Sequence, residues 1–119
     1  MASTHTLRTI IAAATSNSAG GTTTGTAIDI TTKYGGLITA KITNGGTGPA
    51  VAASVNVYTS GDNTNFKLFA TVTHNVTNSA VGEWAFEIPM GVMYVRADVT
   101  GNTVQAVTCE AFLQELTTI

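Results

Sequence analysis

The sequence has little of what disulfide scaffolds, coiled coils and nucleic-acid binders are built from. It holds one cysteine, so no disulfide can close within the chain. Cys109 lies in the apolar alternation Val107, Cys109, Ala111, Leu113 and reads as a buried thiol. Charge is scarce at 10% of residues, against about 25% in an average soluble protein. A coiled coil, which needs charged e and g positions, is excluded. The five basic residues, Arg8, Lys33, Lys41, Lys67 and Arg96, are too scattered to track a phosphate backbone. No apolar run approaches the ~18 residues of a membrane span, and Ile10 to Ala14 is shorter than the ~7–15 residues of a signal-peptide core. Neither nucleic acid nor a membrane is an expected partner, and synthesis in a cytoplasm is expected.

Threonine fills the space that charge leaves. Small neutral polar side chains occupy 37 of 119 positions, as 23 Thr, 8 Asn and 6 Ser, and the β-branched residues Thr, Val and Ile total 42. Such a composition favours strands over helices, and its hydrophobicity argues against disorder. Turn chemistry recurs at Asn17 to Gly25, Gly35-Gly36, Asn44 to Pro49, Ser60 to Asn65, Asn75 to Ala80, Pro89 to Gly91 and Gly101-Asn102. Between these marks the period is two. Ile38, Ala40, Ile42 alternate with Thr39, Lys41, Thr43, and Val51, Ala53, Val55, Val57 alternate with Ala52, Ser54, Asn56, Tyr58. Further alternations set Phe66, Leu68, Ala70, Val72 against Lys67, Phe69, Thr71, Thr73, and Trp84, Phe86, Ile88 against Glu83, Ala85, Glu87. Met93, Val95, Ala97 and Val99 likewise oppose Tyr94, Arg96 and Asp98.

With Thr4 to Ala14, Ala27 to Thr32 and Val104 to Leu116 added, this predicts an all-β fold, a two-sheet antiparallel β-sandwich of about eight strands. The last segment contains the helix formers CEAFLQEL, but the period-two pattern ahead of it favours a strand. The core should hold Trp84, Phe86, Val55, Val57, Leu68, Val95 and Cys109. Residues 1–25 carry no aromatic side chain and end in a Gly/Thr/Ser-rich stretch. They form either an N-terminal arm or a first strand with a flexible loop, ahead of a sandwich domain over 26–119.

The second half runs VNVYTS, a tight loop GDNTNF, a strand KLFATV, then EIPMGVMYVRADVTGNTVQAVTCEAFLQ. Over Val55 to Gln114 this order resembles small jelly-roll sandwiches, in which a strand ending in Ser meets an Asp-containing turn and an aromatic residue. A later segment of that pattern reads proline, aromatic-Val-Arg, turn and final strand. Such sandwiches occur in discoidin-like domains and in small structural proteins of tailed phage particles, including head decoration (cement) proteins. The loop has Asp62-Asn63 where the pattern has Asp-Gly, and the disulfide and ligand-binding spikes of secreted discoidin domains are missing. The resemblance therefore leans toward the phage-particle proteins and implies a jelly roll with a structural role in a virion made in a host cytoplasm.

No catalytic constellation stands out. Glu83 and Glu87, four residues apart in a strand, would be ~13 Å from each other, beyond the ~5–9.5 Å of glycosidase pairs. His5 and His74 have no ligand-spaced partner, and no Gly-x-Ser-x-Gly elbow is present. The Gly61 to Asn65 loop offers one carboxylate, thin for calcium and sufficient for an Asx turn. Catalytic, metal and cofactor sites are accordingly expected to be absent, and the protein is not expected to be an enzyme.

The anomaly is apolar residues on faces that should be wet. Tyr58, Phe69, Tyr94 and Phe112 lie opposite the inferred core faces, a pattern that suggests a shared protein interface. On the N-terminal segment, Leu7, Ile10 and Ile11 are further interface candidates, able to fill pockets on a neighbour. The expectation is a structural subunit that forms a homo-oligomer such as a trimer and binds a major capsid protein as a decoration or cement protein. The alternative is a tail or fibre sandwich that binds carbohydrate or a host surface.

Overall fold

The computed structural model describes residues 3–119; the first two residues of the 1–25 segment lie outside them. Among the described residues the strands are β1 (Thr4–Asn17), β2 (Thr22–Thr24), β3 (Ile28–Asp29), β4 (Gly36–Asn44), β5 (Ser54–Ser60), β6 (Phe66–Thr73), β7 (Val81–Ile88), β8 (Tyr94–Thr100) and β9 (Val107–Thr118). One sheet runs β1-β9-β4-β7; the other runs β2-β8-β5-β6, with β3 also on β8. Every pairing is antiparallel. This interleaving of sequence-distant strands in two facing sheets is the jelly-roll order.

The short β2 and β3 are two halves of one edge strand. Thr22–Thr24 lie against Asp98–Thr100, and Ile28–Asp29 against Tyr94–Val95. The break falls at Gly25, where a Cβ would collide with the Ala97 carbonyl and the Ile10 side chain. The Gly25 N–H turns to the Asp98 carboxylate instead, 3.1 Å away. Counted by position, the sandwich has the expected eight strands.

Central strands follow the alternation. Ile38, Ala40 and Ile42 on β4 pair with Leu113, Ala111 and Cys109 on β9, and all six are buried. Facing them are Val55 and Val57 of β5 and Val95, Ala97 and Val99 of β8, with no exposed surface. Each fully buried Val or Ile contributes roughly 1.5–3 kcal/mol. The two sheets pack face to face, and the molecule is a slab of 48 × 31 × 18 Å.

The edge strands depart from the expected pattern at identifiable irregularities. On β6 the register to β5 jumps from Val57↔Ala70 to Tyr58↔Leu68. Phe69 is the extra residue of this bulge, and the reversal turns Leu68 outward to 58% exposure. The predicted burial of Leu68 is thereby corrected. Trp84 and Phe86 do face inward, opposite Ala40 and Ile38. They are only partly buried, because β7 is an edge strand and the core is open beyond it.

The first strand carries two irregularities of its own. Its register to β9 shifts between Thr9↔Phe112 and Ile11↔Ala111, then again before Thr15↔Cys109. The first shift puts the adjacent Ile10 and Ile11 both inside, at 3% and 4% exposure. Their expected role in filling a neighbour's pockets is corrected: they fill this chain's own core. The second leaves Ala12 to Ala14 exposed on the edge, with Ala14 at φ 57°.

One end of the slab is locked by buried asparagines. The Asn17 side-chain amide donates to the Asn102 side chain, and Asn102 Nδ2 donates back to the carbonyls of Asn17 (3.2 Å) and Gln105 (2.9 Å). Gly20 N–H closes the β1–β2 loop onto the Asn102 carbonyl at 2.8 Å. Asn44 Nδ2 reaches the carbonyls of Asn75 (3.0 Å) and Thr77 (2.8 Å), tying the β6–β7 loop to the end of β4. Loop backbone that would otherwise be orphaned is paired in this way.

Candidate functional site

The outer face of the β5 sheet gathers aromatic side chains around one arginine. Val95 and Ala97 point into the core, so Arg96 between them points out. Tyr58 lies directly opposite on β5, and Ser60 is flanked by Tyr94 on β8 and Phe66 on β6. The β6 bulge is what places Phe66 and Leu68 on this face. The Arg96 guanidinium carbon sits 4.5 Å from the Phe66 ring centre and 5.0 Å from that of Tyr58. Each such cation–π contact is worth about 0.5–1 kcal/mol at an exposed site.

Asp98, two residues on and therefore on the same face, neutralises that arginine. Arg96 Nε is 3.0 Å from Asp98 Oδ1, and Nη2 donates to Oδ2 at 3.2 Å. A guanidinium that pairs with a carboxylate and lies against two rings is restrained in its rotamer. The result is a rigid face with Leu68 58% exposed and Phe69 43% exposed at its edge. Its one positive charge is already compensated.

The structure thus brings together two of the expected interface residues, Tyr58 and Tyr94, and sets Phe69 at the bulge beside them. Phe112 lies on the outer face of the other sheet, between Thr9 and Thr39. Leu7 shares that face, opposite Gln114 and 67% exposed. The predicted set is therefore two surfaces on opposite sides of the slab. Sequence reasoning missed Phe66, whose face depends on the bulge, and Arg96. The spacing of Arg96 and Asp98 by two along one strand was the available signal for their ion pair.

The remaining candidates take structural places. Glu83 and Glu87 face out on β7, opposite Lys41 and Leu37 in turn. Asp62 accepts from the backbone N–H of Asn65 (2.8 Å) and Thr64 (2.9 Å), from the Asn65 amide (2.8 Å) and from the Ser60 hydroxyl (2.9 Å). These donors, the Asn65 backbone foremost, hold its carboxyl well below the ordinary range. A carboxylate so occupied is a turn staple. His74 packs edge-on against Trp84 with ring centres 5.5 Å apart, and its Nε2 is 3.1 Å from the Ala80 carbonyl. His5 sits at the start of β1 at the opposite end of the slab. Among the described residues no three His, Cys, Asp or Glu side chains converge as metal ligands would.

No family model and no curated protein matches the sequence. Solved structures do match the fold. A chain of T=1 particles derived from infectious bursal virus superposes with a TM-score of 0.66 at 10% identity, covering 98% of this chain and 32% of that one. The VP2 subviral particle of infectious bursal disease virus gives a TM-score of 0.58 at 11% identity, covering 98% and 33%. This chain thus spans about a third of those viral chains. The Bacillus endospore appendages described as disulfide-linked pili give a TM-score of 0.55 at 12% identity, covering 100% of this chain and 93% of that one. At such identities the likeness is one of fold.

Proposed function

We propose that this chain is a non-enzymatic structural subunit of a virus-type particle, and within that class a decoration or cement protein that binds a phage head as a homo-oligomer. The observation that carries the reading is the Arg96-centred aromatic face. Rings already fixed in place cost little conformational entropy to bury, which favours an interface over a flexible surface. Scarce charge supports it, since a free monomer of this composition has little to blunt its open edges at β6 and β7. The jelly roll shared with chains of viral particles supports it at the level of fold. Self-association in the manner of a disulfide-linked fibre is disfavoured, because the one thiol, Cys109, is 2% exposed. Each added contact between copies, or with a capsid protein, would stabilise the shell by mass action.

Light scattering across a concentration series tests the reading. The wild type should run as an oligomer, and Leu68→Ser with Tyr94→Ser should lower its mass while leaving β-type circular dichroism unchanged. A wild type that stays monomeric at the highest concentration and adds no mass to purified phage heads overturns it. Gold-labelled antibody on intact particles should mark the head shell; labelling confined to the tail would support the carbohydrate-binding alternative instead.

A further inference from the structure

We propose that a cleft on the outer face of the β1-β9-β4-β7 sheet, at the end where β4 begins, binds a neutral hexopyranose. The register builds the site. Leu37, the second residue of β4, is opposite Glu87 on β7 and Gln114 on β9. Adjacent strands lie about 4.8 Å apart, so the carboxylate and the amide stand on either side of a gap of roughly 9–10 Å with Leu37 as its floor. One sugar ring with a hydrogen bond on each side fits that span.

Tyr34 supplies the flat wall. It is 38% exposed, and its backbone is tied to β9: Tyr34 N–H donates to the Leu116 carbonyl at 2.9 Å, and Leu116 N–H donates to the Gly35 carbonyl at 3.0 Å. His5, paired with Leu116, and Met90, 64% exposed, also line the cleft. The cleft encloses about 350 Å³, within the ~300–1,000 Å³ of small-ligand sites.

The lining specifies the ligand class. An aromatic ring stacks on the C–H-rich face of a pyranose, a carboxylate accepts two hydroxyl protons, and an amide both accepts and donates. Glu87 and Gln114 are exposed, so their polar atoms are open to a ligand. The uncompensated Glu87 charge opposes sialic acid and phosphorylated sugars, and one carboxylate is too few for a calcium ion. This site lies on the opposite sheet from Tyr58 and Tyr94, whose face carries the assembly reading, so substitutions at Tyr34 and Glu87 test it apart from that face.

Amide chemical-shift mapping on the full, isotope-labelled chain tests it, with methyl glucoside, methyl galactoside and N-acetylglucosamine as millimolar probes and sialic acid as the anionic control. At least one neutral probe should give saturable shifts confined to residues 34–37, 87–90 and 114–116. Binding should weaken about tenfold or more in Tyr34→Ala and in Glu87→Ala. Should Tyr34→Ala fail to fold, Glu87→Gln, on an exposed edge-strand position, carries the test through a smaller loss. Absence of saturable shifts with all three neutral probes, shifts that survive the Glu87 substitutions, or tighter binding of sialic acid overturns the proposal. So do concentration-dependent shifts at these residues without sugar, which would give the cleft to a second copy of the chain.

Discussion

Asn17 and Asn102, 85 residues apart, hydrogen-bond through their side-chain amides at the buried end of the sandwich. The Asn102 side-chain amide bonds at once to the end of β1, the β1–β2 loop and the β8–β9 loop. Replacing it by Ala strands several buried donors and acceptors at about 1–3 kcal/mol each. Asn102→Ala should lower the urea midpoint by the equivalent of ~2–4 kcal/mol, with Asn102→Asp recovering little. A midpoint within ~0.5 kcal/mol of wild type would mean that water replaces the network.

Arg96 combines an ion pair with two ring contacts, whereas Asp98 is only 7% exposed. Arg96→Ala leaves that carboxylate buried without its partner, and a loss of ~2–4 kcal/mol is expected in denaturant unfolding. Arg96→Lys should recover less than half of it, since an ammonium lacks the planar face that meets the Tyr58 and Phe66 rings while Nη2 donates to Asp98 Oδ2. Equal stability of the Lys variant and wild type would reduce the guanidinium to a point charge.

Acid should loosen the Ser60–Asn65 turn. Hydrogen bonds to the Asp62 carboxylate depress its pKa from 3.8, so the unfolded chain takes up that proton first. The contribution is therefore full above pH 3.8 and is lost as pH falls toward the folded-state value. Asp29 acts in the same direction, through the Thr31 side chain and backbone. The melting temperature of the wild type should fall between about pH 5 and about pH 2, and more steeply than that of Asp62→Ala. Parallel slopes would remove Asp62 from the account.

Deleting residues 1–15 should unfold the chain. The deletion removes Ile10 and Ile11 from the core and bares the β9 edge along which β1 is paired. Losing two buried isoleucines costs ~4–10 kcal/mol, comparable to the whole stability of a small domain, ~5–15 kcal/mol. A truncated protein that keeps β-type circular dichroism and a cooperative melt would show that the segment is a detachable arm.

Trp84 reports on the open edge. At Gly82 a Cβ would meet the Trp84 ring and His74 Nδ1. Gly82→Ala should push the indole outward, shifting its fluorescence to the red at a cost of about 1–3 kcal/mol. An unchanged emission maximum would place slack where the structure has contact.

The sequence alone determined the all-β class, the two-sheet sandwich and the inward faces of β4, β5, β8 and β9. Those strands have neighbours on both sides, so the local period of two decides which apolar side chains enter the core. Tyr58 and Tyr94 could likewise be read as outward because their strands are regular there. Only the tertiary structure decided the rest. Ile10 and Ile11 are both inside, and Leu68 and Phe66 outside, because bulges reverse the alternation. A bulge arises from fitting one strand to a partner far along the chain, and no local period records it. Trp84 is half-buried because β7 ends its sheet, a consequence of strand order rather than of its own sequence. The cleft of Tyr34, Glu87 and Gln114 draws on strands separated by most of the chain, and only their pairing beside Leu37 brings them together.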